Sequence, residues 1–149
     1  PVLVAMFNYM IANVDWSPVF FHNVKLIRTE DARFLTVPYD FDFSGLVNAR
    51  YATVAPALQN KIRRVNQRLY RGFCRPELNH ATATAPFAAK QADIEAMIND
   101  VCARGHELFD EDDAEDMLDF LEDFWKVVDD PEEFEDEIID ECRDMTTGR

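Results

Sequence analysis

The sequence predicts an α+β fold that is mostly α, in which one short β-hairpin and its flanking loops pack on a helical bundle. Apolar residues recur at helical spacing over most of the second half of the chain. Two short runs of β-branched and other apolar residues flank a polar turn near residue 30, which is typical of a hairpin. Hydrophobic residues make up 48% of the 149 positions, so the chain can bury a core.

The first predicted elements are a buried helix and the hairpin. Residues 2–13 are apolar on nearly every side, which predicts a helix that needs neighbours all round. Proline and short polar side chains at 13–18 end this helix in a loop. The hairpin is predicted over 23–37, with its turn at 29–33. Pro38 ends the strand pairing because proline has no amide proton to donate.

Four further helices are predicted after the hairpin, at 58–74, 87–104, 112–129 and from 131 onward. Residues 80–86 are rich in Ala and Thr and are predicted as a connection. Gly105 is expected to follow the second of these helices. Asp130 and Pro131 form a typical helix start, with an N-cap residue and a proline at the first helical position. The expected inner face of the last helix is Phe134, Ile138, Cys142 and Met145.

Charge divides the chain into two predicted regions, 1–75 and 76–149. The first has ten basic and five acidic residues (+5), and the second has five and 24 (−19), for a net charge of −14. Such an acidic chain is not expected to bind nucleic acid. The acidic region either binds a basic partner or keeps the protein soluble. Arg outnumbers Lys by 11 to 4, and this acid-rich, Lys-poor composition also suits a high-salt cytoplasm.

The cysteines, the histidines and the first residues bear on compartment and processing. Three cysteines, widely spaced and odd in number, predict reduced thiols and a cytoplasmic location. His22, His80 and His106 are not at metal-ligand spacing with them, so no structural zinc is predicted. The apolar run near the start is too short to cross a bilayer and follows no basic segment, so neither a membrane partner nor a signal peptide is expected. Because this run begins directly after Pro1, the chain is expected to start inside a longer protein.

Three polar residues at the ends of predicted elements form the candidate site. Asp15 follows the first helix, Asn23 precedes the hairpin and Asp40 follows it. A hairpin returns its two ends to nearly the same place, so Asn23 and Asp40 are expected to be neighbours, with Asp15 close by. Oxygen ligands of this kind suit Mg²⁺ or Mn²⁺ bound with nucleotide phosphates. A third carboxylate at the rim can orient a hydroxyl group for in-line attack on a phosphoryl group.

The same residues resemble a known arrangement. The segments FNYMIANVDWS (7–17) and PYDFDFSG (38–45) place an Asp, an Asn, a hairpin and a D-F-G-type turn in the order found in the C-terminal lobe of protein-kinase-like proteins. The local sequence is most similar to the HipA-like and CotH-like kinases. It is also similar to a group of uncharacterised bacterial proteins with N-x-x-D-W-S and Y-D-F-D-x-S-G motifs. The resemblance covers about residues 1 to 75.

The resemblance implies roles for four residues. It makes Asp15 the catalytic residue, Asn23 a metal ligand and Asp40 the second metal ligand, with Asp42 as a possible substitute. It implies ATP as cofactor with Mg²⁺ or Mn²⁺, and an unknown phosphoacceptor as partner. The glycine-rich loop and the strand Lys of this fold belong to an N-terminal lobe, expected upstream of residue 1. Without that lobe the chain is expected to bind metal weakly and to turn over no ATP.

The sequence also departs from the family pattern and leaves alternatives open. Asp15 and Asn23 are further apart than in the protein-kinase signature, no His-Arg pair precedes Asp15, and Ala12 stands where atypical kinases often have Gly. One alternative is a metal-dependent transferase or hydrolase that uses Asp40 and Asp42 as a D-x-D site. Another is a degenerate kinase-fold module whose acidic helices bind a basic partner. Each site residue alone also suits a purely structural role in a turn.

A basic run follows the candidate site. Lys61 and five arginines up to Arg75 are predicted to lie on the polar face of the 58–74 helix. The run is interpreted as a solvated face that pairs with the acidic helices of the same chain. The alternative interpretation is a patch that binds anions or a phosphorylated substrate.

Overall fold

The computed structural model describes residues 2–105, 108–109 and 111–144. The structure is α+β and mostly helical, as the sequence predicts. The chain divides into two compact units, and the boundary follows Arg75. The first unit is Pro1–Arg75 together with Glu141–Arg149, and the second is Pro76–Asp140. The predicted second region ran to residue 149, whereas the structure returns the end of the chain to the first unit.

The first unit begins with helix α1, which spans Val2–Met10 and is shorter than predicted. Its polar residue Asn8 is fully buried among apolar neighbours. The helix ends because Ala12 adopts a left-handed backbone conformation, with φ of 49°, that an α-helix cannot continue. The amide of Asn13 then donates to the carbonyl of Asn8 at 2.7 Å, closing a wider turn at the helix end.

The predicted hairpin is confirmed. Strands β1 (Val24–Arg28) and β2 (Phe34–Pro38) pair antiparallel. The turn between them is held by Thr29, whose amide and hydroxyl both donate to the carbonyl of Arg33, at 2.9 and 3.0 Å. At the open end, the amide of Tyr39 donates to the carbonyl of Asn23 at 3.0 Å. The residues on either side of the hairpin are therefore brought together, as the strand geometry requires.

The predicted helix at 58–74 is wrong. Only Pro56–Leu58 forms a short 3₁₀ turn, and the chain from 59 to 79 is irregular. The side-chain carbonyl of Gln67 accepts hydrogen bonds from the amides of Arg63 and Arg64, at 2.7 and 3.0 Å, and so competes with the helical pattern. The apolar residues with helical spacing still serve the core, because Ile62 and Val65 are buried in one cluster with Val14 and Val54.

The prediction of reduced thiols is also wrong for two of the three cysteines. Cys74 and Cys142 form a disulfide across a sequence separation of 68, with Cα atoms 5.0 Å apart, and only Cys102 is free and buried. Spacing could not reveal this pair, since the chain must leave the first unit and return before the two residues meet. The cytoplasmic location was predicted from reduced thiols and stays a prediction. The disulfide weakens its basis, because disulfides are uncommon in reducing compartments.

The described part of the second unit contains four helices. They are α2 (His80–Ala88), α3 (Gln91–Arg104), α4 (Glu111–Asp129) and α5 (Pro131–Phe134), the last continuing as a π-helical turn over Glu135–Ile139. The predicted connection at 80–86 is wrong, because Asn79 caps α2 by accepting from the amide of Thr82 at 3.1 Å. The predicted start of the last helix is confirmed, with Asp130 accepting from the amide of Glu132 at 2.8 Å.

The core of the second unit is aromatic. Phe124 lies fully buried between Phe87 and Trp125, and Phe134 packs edge-on against His80. Phe134 and Ile138 are buried as predicted for the inner face of the last helix, while Met145 lies outside the described residues. Within the described ranges, no helix combines the length and apolar character needed to cross a membrane.

Candidate functional site

Asp15 is positioned by a buried chain of hydrogen bonds that begins in α1. The side chain of Asn8 donates to the carbonyl of Val4 at 2.8 Å, and its oxygen accepts from the side chain of Asn13 at 2.8 Å. The oxygen of Asn13 accepts in turn from the amide of Asp15 at 3.0 Å. Asn8 and Asn13 are 0% and 1% exposed, so this network is held in a dry environment where satisfied hydrogen bonds fix one arrangement.

Both carboxylate oxygens of Asp15 are engaged by residues from the start of the hairpin. Oδ1 lies 2.9 Å from Nε2 of His22. Oδ2 accepts from the side-chain amide of Asn23 at 3.0 Å, and the same amide donates to the backbone carbonyl of Asp15 at 2.8 Å. The carboxylate of Asp15 remains about two-fifths exposed, with 38% of its side chain accessible. The two predicted site residues Asp15 and Asn23 are therefore in direct contact and open to solvent.

A tight turn between these residues sets the contact. The backbones of Ser17 and His22 exchange two hydrogen bonds, at 2.9 and 3.0 Å, which close residues 18–21 into a short loop. Phe21 and Asn23 both adopt left-handed conformations, with φ of 52° and 50°. Such conformations are costly for a bulky side chain and cluster at functional sites. The turn brings Asn23 back to Asp15 across the eight positions that separate them.

Asp40 and Asp42 form the second part of the cluster. Asp40 follows β2 in a left-handed conformation, with φ of 62°. A hydrogen bond that protonated Asp40 donates to Asp42 and the negative charge of Asp42 raise the pKa of Asp40. Desolvation and the charge of Asp15 raise it further by less, while His22 opposes the shift. Asp42 also accepts a hydrogen bond from the hydroxyl of Tyr51 at 3.1 Å. Asp40 therefore lies close enough to Asp15 for their charges to interact, and Asp42 lies beside Asp40.

Two arginines of the basic run hold the loop that carries Asp15. Arg68 donates from Nε and Nη2 to the carbonyl of Met10, at 3.3 and 3.2 Å. Arg71 donates to the carbonyl of Val14, next to Asp15. Burial lowers the pKa of Arg71 and the nearby Asp15 partly restores it. These arginines therefore bind backbone carbonyls of the first unit, which differs from the solvated helix face predicted for them.

Whether a divalent cation suits this cluster depends on which side-chain atoms are available as ligands. Among the residues that the structure describes, no three His, Cys, Asp or Glu side chains come together as a ready metal site. Mg²⁺, however, usually keeps several waters and takes one or two carboxylates together with substrate phosphates. Asp40 and Asp42 supply adjacent carboxylates. The NH₂ group of Asn23 donates to Asp15, which leaves the side-chain oxygen of Asn23 as a possible metal ligand. This oxygen-only set fits such a cation.

A pH titration tests the pairing of the two carboxylates. Substituting Asp42→Asn is expected to lower the pKa of Asp40, because both the hydrogen bond to an ionised partner and its charge are removed. In the parent protein the pKa of Asp40 in the folded state is raised above its ordinary value of 3.8. The stability that this carboxyl group contributes is therefore present at low pH and is lost as pH rises through the raised pKa. NMR of the side-chain carboxyl carbons, recorded as the pH is varied, measures the pKa of Asp40. An Asp31→Asn control in the hairpin turn should leave the Asp40 pKa unchanged, and an unmoved pKa in Asp42→Asn would contradict the pairing.

Sequence reasoning missed several residues that shape the site. Asn8 and Asn13 position Asp15, His22 binds its carboxylate, and Arg71 holds its loop. The available signal was the single polar residue Asn8 within an otherwise apolar helix.

The chain was compared with models of protein families, with curated proteins and with solved structures. None of the three comparisons finds a match.

Proposed function

We propose that the first unit carries the catalytic and metal-binding residues of a metal-dependent phosphotransferase of the kinase-like type. The observation that carries this proposal is the pair of hydrogen bonds that fix Asp15, one from Asn23 and one with His22, on a carboxylate that stays open to solvent. A carboxylate held in this way is suited to accept the proton of an acceptor hydroxyl group during in-line attack.

The proposed role of Asp15 is to orient and deprotonate the acceptor. Its two oxygens are fixed by His22 and Asn23, yet each carboxylate oxygen has a further lone pair with which to accept a hydrogen bond. The buried network through Asn13 sets the backbone position of the same residue. Holding the reacting groups in one geometry is the main contribution that a protein makes to phosphoryl transfer.

The proposed metal ligands are Asn23, Asp40 and Asp42. A Mg²⁺ or Mn²⁺ ion held there with the phosphates of ATP would neutralise charge on the transferred group. Asp40 and Asp42 place two mutually repelling carboxylates beside each other, an arrangement that a bound cation stabilises. The nucleotide and an N-terminal lobe that grips its phosphates are part of the proposal, with an acceptor of unspecified class.

The conformation of Ala12 supports the kinase-like interpretation. Its φ of 49° is one that glycine adopts without strain, and atypical kinases often have glycine at the corresponding place before the catalytic Asp. Ala12 lies against the segment that follows Asp42, because a Cβ built on Gly45 would lie 2.8 Å from the Cβ of Ala12. The loops before Asp15 and after Asp42 therefore pass each other closely, with the amide of Gly45 donating to the carbonyl of Ala12 at 3.2 Å.

Calorimetric titration with Mn²⁺ tests the proposal on this chain. We expect weak binding, an affinity at least about tenfold lower in Asp40→Asn, and no measurable ATP turnover by the chain alone. The matched control is Asp31→Asn, which removes a carboxylate of the same unit that is paired with Arg33 instead. Equal affinities for the parent and Asp40→Asn would reject the metal site, and robust turnover would reject the need for an N-terminal lobe.

The raised pKa of Asp40, caused chiefly by Asp42 two positions along the chain, supports a second candidate, a transferase or hydrolase that uses these residues as a D-x-D metal site. The two functions differ in their use of Asn23. In the kinase-like site, Asn23→Ala removes a ligand and weakens Mn²⁺ binding, whereas in a D-x-D site the affinity is set by the two carboxylates and stays the same. The same calorimetric experiment therefore separates them.

A further inference from the structure

A second polar concavity lies in the first unit, outside the carboxylate cluster. It is an open cleft of about 880 Å³ between the segments 48–54 and 59–66. Its charged and polar lining is Asn48, Arg50, Thr53, Gln59, Arg63, Arg64 and Asn66. No acidic residue lines this cleft, although the chain as a whole has a net charge of −14. The cleft is therefore basic, and it lies in the region 1–75, which carries the net positive charge of the chain.

The three arginines of the cleft differ in their ion pairing from other basic residues of the same unit. In the described part of the chain, Arg50, Arg63 and Arg64 form no ion pair, whereas the neighbouring Lys61 is paired with Glu141 and Arg33 with Asp31. Residues 1–75 hold ten basic and five acidic side chains, so several cations of this region have no acidic neighbour, and three of them lie around one cleft. Like charges at close range repel one another, and an anion bound between them would relieve this repulsion.

The walls of the cleft are held in place by the fold. The oxygen of Gln67 accepts from the amides of Arg63 and Arg64, which fixes these two residues side by side. Ile62 and Val65, on either side of the two arginines, are buried in the core. The side chain of Gln59 donates to the carbonyl of Val54 at 3.3 Å and ties one wall to the other. The guanidinium groups are therefore mounted on an ordered backbone, which reduces the entropy cost of binding.

We propose that this cleft binds a small phosphorylated molecule, through Arg50, Arg63 and Arg64. A guanidinium group presents its N–H donors in a planar fork that matches two phosphate oxygens, so adjacent arginines suit a group with several negative charges. Asn48, Asn66 and Thr53 supply neutral hydrogen-bonding groups for the rest of such a molecule. The cleft volume is in the range of small-molecule sites. This site does not depend on the proposed phosphotransfer reaction.

Calorimetry with inorganic pyrophosphate, at low ionic strength and with EDTA to remove divalent cations, tests this site. We expect measurable binding by the full chain and an affinity at least about tenfold lower in the double variant Arg63→Gln/Arg64→Gln, because two charge-assisted contacts are lost. The matched control is Arg28→Gln, an exposed arginine of β1, which should change the affinity less than about twofold. A phosphate monoester, ribose 5-phosphate, should bind through the same residues if organic phosphates are the natural ligands.

The outcomes that overturn the proposal are distinct from those that test the carboxylate site. Absence of pyrophosphate binding by the parent, or an equal loss in Arg28→Gln and the double variant, would show that no specific anion site exists. Circular dichroism melting of the double variant establishes that it is folded, and the single variant Arg50→Gln, on the opposite wall, provides an independent loss of affinity. Asp40→Asn should leave pyrophosphate binding in EDTA unchanged, and a loss there would show that the cleft is not a separate site.

Discussion

Reduction of the Cys74–Cys142 disulfide is expected to lower the free energy of unfolding by roughly 4 kcal/mol. The bond joins residues separated by 68 positions, and the enclosed segment contains the whole second unit, Pro76–Asp140. Closing so long a loop removes much of the conformational freedom of the unfolded chain, so its opening favours the unfolded state. Urea unfolding with and without a reductant measures the difference.

The described residues of the segment that the disulfide returns also make non-covalent contacts with the first unit. The amide of Cys74 donates to the carbonyl of Arg143 at 3.0 Å, and the amide of Arg143 donates to the carbonyl of Gly72 at 2.9 Å. The guanidinium of Arg143 lies 4.6 Å from the ring centre of Phe73. These contacts, with the ion pair between Lys61 and Glu141, are each worth about 1 kcal/mol or less. The disulfide adds a covalent link to these non-covalent contacts.

The matched control is the double variant Cys74→Ser/Cys142→Ser. It should unfold at the urea concentration of the reduced parent, and reductant should leave its midpoint unchanged. Thiol quantification on the denatured, unreduced parent should find only the single free thiol of Cys102. Three reactive thiols before reduction, or identical unfolding of the oxidised and reduced parent, would show that the disulfide does not contribute.

Asn13→Asp is expected to destabilise the first unit by about 3 kcal/mol at neutral pH. The side-chain NH₂ of Asn13 donates to Asn8 at 2.8 Å, while its oxygen accepts from the amide of Asp15. The aspartate has nearly the same shape but no donor, so it sets a carboxylate against the oxygen of Asn8 at a position that is 1% exposed. A buried charge without a partner is strongly unfavourable.

The pH dependence separates this mechanism from a general loss of packing. When the introduced carboxyl group is protonated, it can again donate to Asn8, so the variant should approach the parent in stability as the pH falls. Its raised pKa in the folded state means that stability is present at low pH and is lost as pH rises through that value. Urea unfolding at several pH values measures the effect.

The control is Asn99→Asp on the exposed surface of α3. Asn99 donates only to the carbonyl of Glu95 within its own helix, so this exchange should change stability by less than about 0.5 kcal/mol. A destabilisation by Asn13→Asp that is the same at every pH would contradict the role assigned to the buried hydrogen bond. NMR shifts of Asp15 and His22 should move in Asn13→Asp and stay constant in Asn99→Asp, because only the former touches the loop that carries Asp15.

The part of the candidate site that could be predicted is the part set by local rules. The hairpin between Asn23 and Asp40 follows from a polar turn between two apolar runs, and any hairpin brings its flanking residues together. The direct contact of Asp15 with Asn23 depends on the left-handed conformations of Phe21 and Asn23, which no local pattern in the sequence indicates. The positioning network joins residues only two to five positions apart, but its hydrogen bonds depend on the irregular turn that ends α1. The arginine cleft brings together two separate segments.

The sequence by itself determined the α+β class, the hairpin and the start of the last helix, because turn residues, an N-cap and a proline act within a few residues of their own position. Only the tertiary structure decided three other features. It replaced the expected helix at 58–74 with irregular chain, since Gln67 takes backbone hydrogen bonds that a helix needs. It paired Cys74 with Cys142 and buried Asn8 against Asn13. The disulfide depends on two distant segments meeting, whereas the other two features depend on side chains that form hydrogen bonds outside the helical pattern. Periodicity along the chain carries neither kind of information.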